Sequence, residues 1–153
     1  MNFFELAKKL NGDLRRSVAA GTAGSVDEEL AFAGTPEELW MTRGGADVAL
    51  VRLAENGAWV VEANAVVAVD AEEASGQDDA QKKRAAGVAM ESQVWPRLAA
   101  LGFTLSPDGD LWDPQEDFLL RWGLREAHSY ESLVETLRQV AGSDFNETVE
   151  LTT

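Results

Sequence analysis

With 153 residues, 45% of them apolar, and no cysteine, the chain is expected to form one domain with a sizeable core and no disulfide, thiol nucleophile or thiolate metal site. Thirteen basic residues stand against 27 acidic ones, a formal charge of −14, which repels nucleic-acid phosphates and anionic membranes. No apolar run approaches the roughly 20 residues of a bilayer span, and charges interrupt the first ten residues, so neither a membrane segment nor a signal peptide is expected and the expected location is the cytoplasm.

Residues 1–20 read as an N-terminal amphipathic helix, with Phe3, Leu6, Ala7, Leu10, Leu14 and Val18 at 3/4 spacing. Asn11-Gly12 weakens its middle, since both are poor helix formers. This segment nets +2, so residues 21–153 carry −16. Ala19 to Ser25 reads as a loop of small residues. Val26 to Phe32 has two readings: a short helix capped by Ser25, or a strand over Leu30–Phe32.

Glu38 to Arg43 reads as a strand, followed by a turn at Gly44-Gly45. The run from Ala46 to Val67 reads as a hairpin turning at Asn56-Gly57, a pair that suits a two-residue type I′ turn. These three strands form an antiparallel meander. On the middle strand, Val48, Leu50, Arg52 and Ala54 face one way and Ala49, Val51 and Leu53 the other, so both faces are partly apolar. Asp70 to Asp79 is an acidic turn. Gln81 to Leu101 reads as helix with a break before Pro96. Gly102 suits a helix C-terminus. Phe103–Leu105 and Asp117–Leu124 form a strand pair, with a turn at Ser106-Pro107-Asp108-Gly109. Ser129 caps a last helix with the stripe Leu133, Val134, Leu137 and Val140, ended by Gly142. Residues 143–153 read as a polar tail. The expected fold class is α+β, an antiparallel sheet covered by helices.

The runs Val48-Ala-Leu-Val-Arg-Leu-Ala, Gly57-Ala-Trp-Val-Val-Glu-Ala-Asn, Leu98-Ala-Ala-Leu-Gly-Phe, Phe118-Leu-Leu-Arg-Trp and Leu133-Val-Glu-Thr-Leu-Arg-Gln-Val resemble a bacterial family of small chaperone-like domains. That family is related to the peptide-binding chaperones of type III secretion and to the YbjN group. The resemblance covers roughly residues 38–142 and consists of apolar positions at fixed spacing. The chain departs from it at Phe103, where the family commonly has tryptophan, and in having no proline after Pro114. The resemblance implies a type III secretion chaperone-like core over 38–142 that binds protein, is often dimeric and has no catalytic residues.

The residues themselves point the same way. The lone His128 has no second histidine or cysteine beside it. The carboxylates Asp108, Asp110, Asp113, Glu116 and Asp117 miss the EF-hand spacing and read as a solvated acidic turn. No glycine-rich phosphate cradle is present, and the triplet Lys82-Lys83-Arg84 is explained by i,i+4 pairs with Asp78 or Asp79. No catalytic residue, cofactor or metal is therefore expected. Five tryptophans are many for this length, and tryptophan is enriched at interface hot spots. One or two are expected to be exposed in a groove or dimer contact, Trp112 first among them because its neighbours are polar or turn-forming. The candidate protein-binding residues are Trp112 with Asp108, Asp110, Asp113, Glu116 and Asp117. The expected function is a non-enzymatic adaptor or chaperone-like domain that holds a segment of a partner protein. The expected partner is a protein, a basic one on grounds of charge, with a homodimer as the form the resemblance implies and no nucleic acid or membrane bound directly. The alternative is an acidic immunity or phage-type inhibitor that blocks a nucleic-acid-binding protein or nuclease by charge mimicry.

Overall fold

The computed structural model describes residues 2–21, 30–70 and 79–150. In chain order these form α1 (Phe3–Gly21), β1 (Leu30–Gly34), β2 (Leu39–Arg43), β3 (Ala46–Leu53), β4 (Trp59–Asp70), α2 (Asp79–Ala89), a π-helical turn (Met90–Val94), α3 (Trp95–Ala100), β5 (Thr104–Asp113), β6 (Phe118–Ala127), α4 (Tyr130–Ala141) and β7 (Asn146–Glu150). The fold is α+β. The seven strands form one sheet in the order β1-β2-β3-β4-β6-β5, with β7 also paired to β4. The β1–β2, β2–β3, β3–β4 and β5–β6 pairings are antiparallel. The chain divides into two compact units, one of residues 1–63 and 125–144, the other of 64–124 and 145–153.

Several elements differ from the sequence expectation. The meander has four strands, because Leu30–Gly34 pairs with β2. Residues 22–29, with the proposed Ser25 cap, lie outside the described residues. The β3–β4 connection is not a two-residue type I′ turn. Among the described non-glycine residues only Asp117 has positive φ, so Asn56 does not, while Gly57 sits at φ 86. The Gly57 amide donates to the Ala54 carbonyl and the Ala54 amide to the Ala58 carbonyl. The connection is thus a turn over Glu55-Asn56 with Gly57 in the left-handed position, the three-residue alternative in which the glycine absorbs the bulge. The 143–153 tail also contains structure: residues 146–150 form β7, parallel to residues 66–70 of β4.

In the first unit, Asn2 Oδ1 accepts the Glu5 amide at 2.8 Å and opens α1. The helix buries Phe3, Leu6, Leu10 and Leu14. α4 buries Leu133, Leu137 and Val140, and its N-cap Ser129 accepts the Ser132 amide. The sheet contributes Leu30, Phe32, Leu39, Met41, Ala49, Val51, Val61 and Ala63, all on one face. Thr136 lies buried among these apolar side chains; its hydroxyl donates to the Ser132 carbonyl at 2.9 Å.

The weak point of α1 has a structural use. Asn11 Nδ2 donates to the Phe32 carbonyl, and the Phe32 amide donates to Asn11 Oδ1, both at 3.0 Å. Asn11 thus acts as a one-residue strand neighbour on β1, an end strand of the sheet. The same edge is approached at Gly34, where a Cβ would collide with the Phe3 carbonyl oxygen. Across the unit, the Tyr130 hydroxyl donates to Asp13 Oδ2 at 2.8 Å, and Lys9 Nζ lies 4.0 Å from the Tyr130 ring centroid. Burial, and then the Asp13 carboxylate, hold the Tyr130 hydroxyl above its ordinary pKa.

In the second unit, α2, the π-helical turn and α3 cover one face of the sheet. Their buried residues Ala86, Ala89, Met90, Val94 and Leu98 accompany Ala65, Val67, Val69, Leu119 and Phe103. Pro96 falls in the first turn of α3 and has no amide to donate. The helix opens ahead of it: Trp95 N–H donates to the Met90 carbonyl, an i→i−5 bond that widens the turn. The break expected before Pro96 therefore takes the form of one wide turn between α2 and α3.

Two outcomes are expected. Asn11→Ala should lower stability by about 1–2 kcal/mol in urea denaturation, the loss of two part-buried hydrogen bonds less a small gain in helix propensity; an unchanged midpoint would remove the edge-pairing role. Because the folded-state pKa of Tyr130 is raised above its value of 10.0 in the unfolded chain, its contribution is present below about pH 10 and is lost as pH rises beyond it. The denaturation midpoint of the wild type should fall more steeply above pH 10 than that of Tyr130→Phe.

Candidate protein-binding face

Strands expose alternate side chains on opposite faces, and the second unit uses the two faces very differently. The helix-covered face holds Ala65, Val67, Val69, Leu119, Arg121 and Gly123. A Cβ on Gly123 would lie 3.1 Å from Leu98 Cδ2 and 3.2 Å from Phe103 Cβ, so a larger residue there would push these neighbours back by a few tenths of an ångström. The opposite face carries Val66 and Ala68 on β4, Phe118, Leu120, Trp122 and Leu124 on β6, and Leu111 on β5. The β4 and β6 side chains in this set are half-buried, and Leu111 is 50% exposed. The first unit follows the same rule: Trp40, Val48, Leu50 and Val60 are half-buried opposite the fully buried Leu39, Met41, Ala49 and Val61. There, Arg52 Nη2 and Glu62 Oε2 pair at 2.7 Å.

The covered face is anchored by a buried guanidinium. Arg121, 7% exposed, donates from Nε and Nη2 to the two oxygens of Asp110 at 2.8 and 2.9 Å. Nη2 also donates to Glu91 Oε1 at 2.6 Å, and the guanidinium carbon lies 5.5 Å from the Trp95 ring centroid. The hydrogen bond to Asp110 outweighs the cost of burial, so the guanidinium stays charged well above its ordinary range. One cation thus ties the π-helical turn (Glu91) to β6 and to the end strand β5 (Asp110). Arg121 Nη1 and Trp112 Nε1 are buried without a hydrogen-bond partner.

The acidic residues singled out in the sequence have separate local tasks. Asp110 is held by Arg121 on the covered face. Asp117 has φ 54, pairs with Lys82 at 3.3 Å and accepts the Val69 amide on its carbonyl. The expected i,i+4 partner of Lys82, Asp78, lies outside the described residues, and Lys82 also makes this long-range pair. Asp113 Oδ1 accepts the Gln115 and Glu116 amides and shapes the β5–β6 turn. The Asp108 amide donates to Ser106 Oγ inside a bulge. Glu116 is exposed at the turn. Trp112 is half-buried, as are the other four tryptophans. Of the other acidic segment, only Asp70 and Asp79 are among the described residues. Among the described residues no acidic or histidine cluster could hold a metal, and no helix is long and apolar enough to cross a membrane.

The end strands offer poor templates for strand addition. On β1, the Phe32 backbone groups are taken by Asn11. On β5, Ser106 to Gly109 bulge opposite the single residue Trp122, and Pro107 lacks an amide. The turn expected at 106–109 is this bulge. The apolar face was legible in part: the even positions of 118–124 are all large and apolar, whereas the odd positions include Arg121 and Gly123. No local signal marks Arg121 as the anchor, because its partners lie 11 and 30 residues away.

No family model, curated protein or solved structure matches the chain.

Arg121→Met should cost about 2–3 kcal/mol, below the roughly 3–5 of a fully buried pair, because Asp110 and Glu91 keep some solvent. Thermal and urea unfolding measure it, and a cost under about 0.5 kcal/mol would show that packing alone holds β5 against β6.

Proposed function

We propose that this chain is a non-enzymatic, protein-binding adaptor or chaperone-like domain, and that the sheet face of its second unit opposite the described helices receives a segment of a partner protein. The observation that carries this reading is the row Phe118, Leu120, Trp122 and Leu124 on β6, flanked by Val66 and Leu111, on the side of the second unit opposite its helices. Contiguous apolar surface of this kind marks interaction sites. Burial of such a row supplies roughly 25 cal/mol per Å² before ordering costs are subtracted. The resemblance to small chaperone-like domains supports the same reading. Charge mimicry draws less support, since Asp110 and Asp117 are already neutralised by Arg121 and Lys82.

The expected outcome is position-dependent capture. A photo-crosslinking side chain at position 120 or 124 should trap a discrete protein in cells, and the same group at the exposed helix position 83 should not. Leu120→Thr with Leu124→Thr keeps strand propensity and should leave the unfolding transition cooperative while abolishing the adduct at position 122. Equal trapping at 83 and 120 would overturn the reading.

A further inference from the structure

The face of the second unit is electrically one-sided. Among residues 64–70, 104–124 and 146–150, Arg121 is the only basic residue, and it lies on the covered face. Three of the charged side chains at strand positions of the open face are Asp70 on β4, Asp113 on β5 and Glu150 on β7, all acidic. They gather at one end. Asp70 is in register with Glu150, Asp113 is in register with Phe118, and the Val69 amide donates to the Asp117 carbonyl, which brings the end of β4 to the start of β6. Glu116 sits in the adjoining turn, exposed. At the other end the same face of β6 continues from Leu124 to the exposed Glu126, one carboxylate against the three at the first end. An apolar track therefore runs into an acidic terminus.

The backbone of the occupant is constrained as well. A segment lying across the face of a sheet finds no backbone partner there, because the sheet's own amides and carbonyls point along its plane. Buried peptide groups must nevertheless be paired. An extended segment could meet that need at an edge, but Asn11 occupies β1, the Pro107 bulge interrupts β5, and β7, for which a pairing with β4 alone is described, lies two strands away from the β6 row. A helix satisfies its backbone internally. The four side chains from Phe118 to Leu124 span about 20 Å at strand spacing, which an α-helix of about 14 residues matches. A second copy of this chain offers another apolar face, but it brings a charge of −14 to one of −14.

We infer that the face receives an amphipathic helix of a partner protein, its apolar stripe along β6 and a cluster of Lys or Arg at one end over Asp70, Asp113 and Glu150. This rests on the protein-binding reading above and narrows it to one class of occupant.

The test uses the full chain and designed 16-residue peptides, read by fluorescence anisotropy. One peptide carries leucines at 3/4 spacing and four lysines at one end. The controls replace the lysines by glutamates, place proline at the centre, or scramble the leucine spacing. The lysine peptide should bind. Affinity should fall at least tenfold with the glutamate, proline or scrambled peptide. Asp70→Asn with Glu150→Gln should also weaken the lysine peptide and flatten its salt dependence. Leu120→Thr with Leu124→Thr should abolish binding while circular dichroism stays unchanged.

The failures are distinguishable. Equal binding of the lysine and glutamate peptides, or of the proline peptide, overturns this inference and leaves the protein-binding reading intact. No peptide binding together with a dimer in sedimentation that Leu120→Thr dissociates assigns the face to a second copy. No binding by a monomer overturns both.

Discussion

The period of two along β4 is the constraint on which the rest of the molecule depends. From Val61 to Val69 every odd residue is buried and every even residue is only half-buried, over a strand of twelve residues. A shift of one residue would turn Val61, Ala63, Ala65, Val67 and Val69 outward and bring Glu62 and Asn64 into the core. That register fixes which face the helices cover in each unit, and so which face stays open. Ala63 and Ala65 are fully buried with almost no side chain, so helices can pack close to the strand.

An open sheet face and open sheet edges are separate hazards, and the chain treats them differently. The edges are blunted by specific means, a carboxamide pairing with Phe32 on β1 and a bulge with a proline on β5. The face is left apolar. With β1 and β5 blunted in this way, surface burial is the route to association that the β6 row offers, and the acidic side chains gathered at one end give that route a direction.

Arg121 shows how a polar anchor can be tolerated in a covered face. Its charge is shared between Asp110 and Glu91, and three of its five N–H groups are used in short bonds. The wide turn before Pro96 carries Glu91, so a helix irregularity forced by proline also supplies a carboxylate to β6. Replacing β6's other inward residues is constrained too, since Gly123 has Leu98 and Phe103 against it.

The sequence alone determined the elements whose cause is local. The hydrophobic 3/4 spacing of α1 and α4, the Ser129 cap, the proline break, the α+β order and the β3–β4 hairpin are all written in stretches of fewer than twenty residues. Tertiary structure decided whatever depends on a distant partner. Leu30–Gly34 became a strand because β2 and Asn11 complete its hydrogen bonds. Residues 146–150 became a strand because β4 offers a parallel edge, although their own composition is polar. Asn56-Gly57 adopted the longer turn because β3 and β4 set the register around it. The five clustered carboxylates read as one acidic loop but were divided among Arg121, Lys82 and two turns, since the chain cannot announce which cation will arrive from 11 or 35 residues away. The open face follows the same logic: alternation shows that β6 has two kinds of face, and only the packed helices decide which of them remains uncovered.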